Sequence, residues 1–401
     1  MTDNPHKTSM IEWDIDPYDE QILLDPSDYY RNLTAKAPFV RLSRYGVWAT
    51  GRYEEAHAIF RDWRQFCSAR GVGIHDFKTQ KPWRKPSLVL EVDPPEHSAR
   101  RQVIAKVLTP KAIADLREET ETQATKLVLK VLEKKNIDAI RDIAAAFPLQ
   151  VFPDFVGVGK DGRDNLLKYG SMVFNSLGPR NAVFDRAMED IENVTKWIAT
   201  NCKREQLSST GFGADLYAAA DSGRISHEEA GMLVRSLLSA GVDTTVNAIG
   251  NALYCFATHP DQWELLVRDS SLVNNAFEEV LRFKSPVHSF FRTANADVSI
   301  AGKGFKEGDK ILLCMAAANR DPRKWENPDV FDIQRDTAGH LSFGVGIHVC
   351  VGQSIARLEA TSLLTALAER VARIELRGEP EFEPCNALHG LRSMQVELIP
   401  H

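Results

Sequence analysis

The chain lacks most of the features that would classify it at a glance. It has no unbroken apolar run of about 18 residues, so no membrane span is expected. Its opening residues, Met1 to Lys7, are polar and carry no signal-type apolar core, which points to a cytoplasmic protein. Its six cysteines, at 67, 202, 255, 314, 350 and 385, are scattered and form no CxxC pair. That spacing argues against a disulfide framework and against a zinc site. A formal charge of −6 disfavours a nucleic-acid partner. There is no internal repeat and no low-complexity linker. With 401 residues, 43% of them hydrophobic and 26% charged, the chain suits one large globular unit or two domains.

What is present is mostly helical pattern. Helices are expected at 28–35, 53–60, 96–108, 111–133, 138–155, 161–176, 180–206, 226–257, 260–269 and 271–284, and from just after Cys350 to about 371. Strand-like runs are few and short: 39–42, 47–50, 298–300, 310–315, 374–376 and 394–399. The balance is mainly α with small β-sheets, an α+β protein. Residues 71–95 form a long irregular segment closed by Asp93-Pro94-Pro95, and a loop of that length inside a compact domain is commonly functional.

One stretch stands out. Phe343 to Gly352 reads Phe-Gly-Val-Gly-Ile-His-Val-Cys-Val-Gly. Its glycines let the backbone pass close to something flat and bulky. Behind it Ala356, Ala360, Leu363, Leu364 and Leu367 recur at helical spacing, so Cys350 sits where a loop becomes a helix. Free amides and the helix dipole at such a place lower a thiol's pKa and hold a thiolate. An anionic sulfur there is a candidate ligand for haem iron, although a lone cysteine is more often a small buried hydrophobe.

Three other clusters carry chemistry. Ala240-Gly241-Val242-Asp243-Thr244-Thr245 places poor helix formers in mid-helix. The Thr244 hydroxyl can bond back to the Ala240 carbonyl and bend the helix beside Gly241, opening room for a small ligand or water. Asp243 adds a group able to relay protons. Glu279 and Arg282 lie three apart on one helix face, which read alone is a surface pair of little worth. His97 and Arg101 share a face of the 96–108 helix and, taken alone, are solvated surface.

Together, Glu279-x-x-Arg282, Ala240-Gly241-x-Asp243-Thr244-Thr245, Phe331-Asp332-x-x-Arg335 and the cysteine loop resemble the signature motifs of cytochromes P450. They stand in that family's order and approximate spacing, and the resemblance covers nearly the whole chain. It implies a single P450 domain over 1–401, with haem b between the 226–257 helix and the cysteine-loop helix. It implies Cys350 as axial thiolate, with Phe343 and Gly352 as haem contacts in the same loop. Asp243 and Thr244 match the family's acid–alcohol pair, which guides protons, and Ala240 and Gly241 match the dioxygen groove. Glu279, Arg282 and Arg335 match the structural charged triad. His97, Arg101, Arg292 and His348 match partners of the haem propionates, and cations and donors suit two carboxylates.

The chain is more closely similar to the bacterial P450 subfamily that oxidises para-substituted benzoic acids, notably by O-demethylating 4-methoxybenzoate. The matching stretches are Arg70 to Gly73, Lys81 to Leu88, Val173 to Asn175, Arg235 to Gly241 and Phe290 to Thr293. This resemblance implies that Arg84, Ser87 and Ser236 hold a carboxylate, with Arg235 nearby. Helix geometry supports it: Ser236, Ala240 and Thr244 share a face, and about 12 Å separates the first from the last at roughly 1.5 Å per residue. A short aromatic acid anchored near Ser236 would point its far end at the oxygen site. Leu90, Val173, Phe174, Val287 and Phe290 are candidate ring walls. Leu177 stands where the subfamily tends to carry a second aromatic, a departure that would loosen the ring contacts, widen the pocket or admit a different ring substituent.

No Gly-rich phosphate loop and no fused flavin or iron–sulfur segment is present. Electrons for the implied reaction with dioxygen would therefore come from a separate [2Fe–2S]-type ferredoxin and its NAD(P)H-dependent reductase. Arg100, Lys106 and Arg357 are the candidate docking patch, and the chain is expected to be a monomer. Hydroxylation of another small hydrophobic acid or of a terpenoid stays open. A non-catalytic haem sensor is disfavoured, because a sensor needs no Asp243–Thr244 relay.

Overall fold

The computed structural model describes residues 11–401, and the polar opening segment 1–7 lies outside them. Helices carry about half of the described chain, beside four small sheets. The largest sheet has six strands in the order Glu12–Trp13, Val40–Leu42, Val47–Thr50, Lys310–Cys314, Ser289–Ala294 and Phe66–Cys67. Val47–Thr50 runs parallel to Lys310–Cys314, which pairs antiparallel with Ser289–Ala294. A three-stranded sheet joins Val371–Leu376, Gln395–Pro400 and Ile137–Asp138. No helix among the described residues is long and apolar enough to cross a membrane.

The two helices that bear the chemistry run through the core rather than over it. Asp243–Thr258 and Gln353–Ala368 are buried on nearly all sides, the pattern of an interior helix rather than an amphipathic one. Between residues 67 and 96 there is no helix and no strand, as the composition of 71–95 leads one to expect.

Several elements depart from the periodicity. The 226–257 helix is two, His227–Gly241 and Asp243–Thr258, broken at Val242. Its start is fixed by a capping box in which Ser226 and Glu229 each satisfy the other's backbone. The 111–133 helix divides into Pro110–Asp115 and Arg117–Leu132, and the 180–206 helix into Ala182–Ala187, Ile191–Asn201 and a short turn, Arg204–Gln206. The 138–155 stretch opens as strand, because Ile137 and Asp138 pair with Val396 and Gln395. A partner so distant leaves no local signal. Phe212–Asp221 is a helix that sequence reading misses, since Gly211 and Gly213 at its start argue against one.

The charged triad anchors the region around the cysteine loop. Glu279 and Arg282 are both fully buried, with Arg282 Nε donating to Glu279 Oε2 at 2.7 Å and its second nitrogen to Oε1 at 2.8 Å. Arg335 Nε reaches Glu279 Oε1 at 3.3 Å. The remaining donors of Arg282 bond the carbonyls of Asn319, Pro328 and Val330, and those of Arg335 bond Glu326, Asn327 and Val330. The pair that looks superficial in sequence thus ties a helix to a segment about 50 residues downstream, inside the protein. Asn319 extends the tie: its amide donates to Ser342 Oγ at 2.9 Å and its oxygen accepts from the Leu341 amide at 2.7 Å. Glu279→Ala leaves buried Arg282 uncompensated and should cost about 3–5 kcal/mol, read as a lower urea midpoint by circular dichroism. Arg268→Ala, which breaks an exposed pair with Glu264, should move that midpoint little. Equal shifts would remove the triad from its structural role.

Candidate active site

A cavity of about 270 Å³ is lined by the cysteine loop and by the broken helix pair. Phe343, His348, Cys350 and Gly352 face it from the loop, and Ala240, Gly241 and Thr244 from the helices. The loop turns at Gly344 and Gly346, whose φ values of 69° and 78° lie in the left-handed region that suits glycine. The Cys350 amide donates to the Phe343 carbonyl at 2.7 Å, closing the loop, and the helix begins at Gln353. Burial pushes the Cys350 thiol up; the amides of Gly352 and Gln353 and the charges of Arg101 and Arg357 pull it down. Those opposing donors and cations favour a thiolate once a metal is bound.

The charges around the loop test whether a haem fits. Arg292 is buried, lines the cavity and has no acidic side chain in ion-pair contact among the described residues. Its guanidinium donates to the Phe291 carbonyl at 2.9 Å and lies 5.0 Å from the Phe60 ring, and burial lowers its pKa to about 10. Arg101 bonds the Val349 carbonyl at 2.6 Å and likewise has no carboxylate partner there. His97 is buried and the His348 side chain is 4% exposed; their rings lie 4.4 Å apart, and Nε2 of each has no hydrogen-bond partner. A long 3.5 Å contact to Asp93 is the nearest acid to His348. Burial, then repulsion from His348, lowers His97 to about 4, and burial also lowers His348. Two cations without acidic partners and two imidazole Nε2 atoms without hydrogen-bond partners are costly to keep beside one another without anions. A haem brings two carboxylates, so the residues present fit it. His97 stands just behind the lining, in contact with His348.

The helix break has a clear local cause. The Thr244 hydroxyl donates to the Ala240 carbonyl at 2.6 Å and Thr245 to Gly241 at 3.0 Å, so two side chains take up backbone acceptors at the interruption. Gly241 is needed for another reason: a Cβ there would lie 2.4 Å from Cζ of Phe152. Thr244 faces the cavity, but Asp243 does not. Its side chain packs on Gly170 of the Asn165–Asn175 helix, and Asn247 donates to Oδ1 at 3.2 Å. Burial pushes its carboxyl up to about 7, against the Asn247 hydrogen bond. An acid that holds its proton near neutrality, behind an alcohol that faces the cavity, suits proton supply.

All ten expected substrate contacts line the cavity: Arg84, Ser87, Leu90, Val173, Phe174, Leu177, Arg235, Ser236, Val287 and Phe290. Their electrostatics differ from expectation. Arg84 is neutralised by buried Glu91, with contacts of 3.0 and 3.4 Å, and the same carboxylate accepts from the Ser87 amide at 2.6 Å. Arg235, by contrast, bonds only the Lys85 and Pro86 carbonyls and has no acid partner among the described residues. Ser87 Oγ lies 3.5 Å from Ser236 Oγ and accepts from the Leu90 amide at 3.2 Å.

Sequence reasoning missed Glu91 and Phe152, which no periodicity marks, and Tyr169, which also lines the cavity. Tyr169 sits four residues before Val173 on one helix face, a spacing that could have revealed it. The expected docking patch is weakened: Arg100 pairs with Glu229 at 2.7 Å and Arg357 with Glu278 at 3.0 Å, which leaves Lys106.

The Asp243 carboxyl gives a pH test. In the fold it keeps its proton to about 7, whereas the ordinary value is 3.8. Between those limits the native state binds more protons than the unfolded chain, so this group's contribution to stability falls as pH rises, by at most about 1.4 kcal/mol per unit. Asp243→Asn should therefore gain stability relative to the parent on going from pH 5 to 7.5 in urea unfolding. A constant difference would show that the carboxyl titrates normally.

A family model described as "Cytochrome P450" matches residues 160–372. The chain is similar to cytochrome P450 CYP199A2 of Rhodopseudomonas palustris, with 46% identity over all of this chain and 97% of that one. Among solved structures it resembles cytochrome P450 CREJ in complex with (4-ethylphenyl) dihydrogen phosphate, at 26% identity and TM-score 0.85, covering 96% of this chain and 98% of that one. It also resembles CYP109Q5 from Chondromyces apiculatus, at 29% identity and TM-score 0.82, covering 96% and 98%. With its cysteine loop, its buried cations and these relatives, the chain belongs to the cytochrome P450 family, haem-thiolate monooxygenases that use dioxygen and electrons from partner proteins.

Proposed function

We propose that this monooxygenase oxidises small aromatic carboxylic acids, para-substituted benzoates, by hydroxylation or O-demethylation at the para group. The observation that carries the reading is Arg235, a cation on an apolar-walled cavity with no acidic partner among the described residues. A partly desolvated cation without a counter-charge favours an anionic ligand. Because Glu91 cancels Arg84, the anchoring charge is that of Arg235, with Ser87 and the Tyr169 phenol as hydrogen-bond donors. The CREJ complex adds support, since its ligand is a para-substituted ring with an anionic head.

Leu90, Val173, Phe174, Val287 and Phe290 sandwich the ring and exclude water from it. Leu177 leaves more room than an aromatic would, which favours larger para groups. Cys350 would ligate the haem iron, and His97, Arg101, Arg292 and His348 would hold the propionates. When bound, the haem supplies the thiolate-ligated iron at which dioxygen is activated and an oxygen atom is transferred to the substrate. Asp243 supplies protons from the side of the cavity, and Thr244 passes them inward through its hydroxyl. The chain works in the cytoplasm as one domain over 1–401, with a [2Fe–2S] ferredoxin and an NAD(P)H-dependent reductase delivering electrons.

Two experiments test this. In ferric spin-state titrations, 4-methoxybenzoate should bind at least tenfold tighter than its methyl ester. Arg235→Met should abolish that preference while leaving the ester's response alone, and Arg235→Lys should restore part of it. A parallel loss for acid and ester would mean that Arg235 merely positions the loop at Lys85 and Pro86. For the proton path, Thr244→Ala should consume NAD(P)H at a near-normal rate while forming several-fold less product. Unchanged coupling would remove Thr244 from it.

A further inference from the structure

A second recess of about 50 Å³ lies beside the haem cavity, and the two share Arg84 and Leu177 as lining residues. It has room for roughly four waters at about 10–15 Å³ each, the scale of a carboxylate head with the edge of a ring. His75, Lys81, Trp83, Arg180 and Phe184 line its outer part. Lys81 and Arg180 are exposed at its mouth, and neither has an acidic partner among the described residues. Neighbouring cations do have one. Lys78 pairs with Glu307, Lys85 with Glu228 and Arg186 with Glu20. At the inner end Arg84 and Glu91 cancel each other. The recess therefore carries net positive charge only at its mouth, over an aromatic wall. Arg180 leans on the Phe184 ring at 5.9 Å, and Trp83 meets Tyr169 of the haem cavity edge-on at 6.2 Å.

We propose that this recess is a second binding site for the aromatic carboxylate substrate, a vestibule that captures it before it reaches Arg235. The proposal rests on the substrate class argued above. Unpaired cations at a concave mouth raise the local concentration of anions and speed encounter. The aromatic wall selects anions that carry a ring. Between the vestibule and Arg235 the neutral Arg84–Glu91 pair presents no deep charge trap, so a carboxylate passes from one cationic station to the next.

The test uses the holoenzyme and stopped-flow observation of the ferric spin shift. For 4-methoxybenzoate, Lys81→Ala/Arg180→Ala should slow the on-rate about tenfold at low ionic strength, and the deficit should vanish at high salt. The on-rate for the neutral methyl ester should stay unchanged, which also reports that the variant folds. An unaltered on-rate and salt slope for the acid would overturn the proposal. A second arm separates it from the anchor reading. With the haem iron ligated by 4-phenylimidazole, saturation-transfer NMR should still detect 4-methoxybenzoate on the parent enzyme and lose it on the double variant. Absence of that signal on the parent overturns the vestibule. Equal spin shifts for acid and ester on the parent overturn the Arg235 anchor, while a vestibule signal in the NMR arm stands by itself.

Discussion

A carboxylate without access to water constrains where the haem-binding loop can sit. Glu279 is fully buried, and Arg282 and Arg335 surround it and compensate its charge. The two guanidiniums in turn need acceptors for their other donors and find them in carbonyls between Asn319 and Val330. Breaking any one contact strands a charge in the interior, so the geometry is held far more tightly than a surface pair would hold it. Asn319 carries that rigidity to Leu341 and Ser342, at the threshold of the cysteine loop. The position of Cys350 is set by this chain of buried polar contacts as much as by the loop's own glycines.

The same physics organises the ligand sites, with the sign reversed. At the triad every buried charge is compensated by protein. Around the cavity some are left uncompensated, Arg292 and Arg101 near the cysteine loop and Arg235 at the substrate end, and two imidazole Nε2 atoms beside them lack partners. Each marks a place where the missing counter-charge comes from a ligand. Glu91 shows how finely this is drawn, since one carboxylate turns Arg84 from an anion receptor into a wall of the cavity.

The helix break follows a third rule, that backbone acceptors freed at an interruption must still be bonded. Thr244 and Thr245 supply the hydroxyls, and Phe152 presses against Gly241 to keep the interruption close-packed. Asp243 is turned away from the cavity toward Gly170, so the acid and the alcohol of the motif face different surroundings. That separation lets an acid with a raised pKa draw on one side while the alcohol serves the other.

Much of this was legible in the chain itself. The cysteine loop, the Ala240-Gly241-x-Asp243-Thr244 run and the Glu279-x-x-Arg282 pair are short-range patterns, and their backbone consequences follow from local chemistry: glycine turns, threonine back-bonding, a thiol at a helix start. The long irregular segment 71–95 and the helical character of the flanking stretches were equally readable, because periodicity and proline act over a few residues, but the interruptions of the 111–133, 180–206 and 226–257 helices were not. What local pattern could not decide is who faces whom. Whether Glu279 is a surface partner or a buried one depends on a segment some 50 residues away. Whether Arg84 or Arg235 receives an anion depends on where Glu91 folds back. Strand Ile137–Asp138 exists only because Gln395–Pro400 lies beside it. Sequence alone determined the chemistry available to this protein, since residue types and their short spacings dictate which groups can ligate, bend or relay. Tertiary structure alone decided which charges are compensated, because compensation is a matter of distance in space, and distance along the chain does not report it.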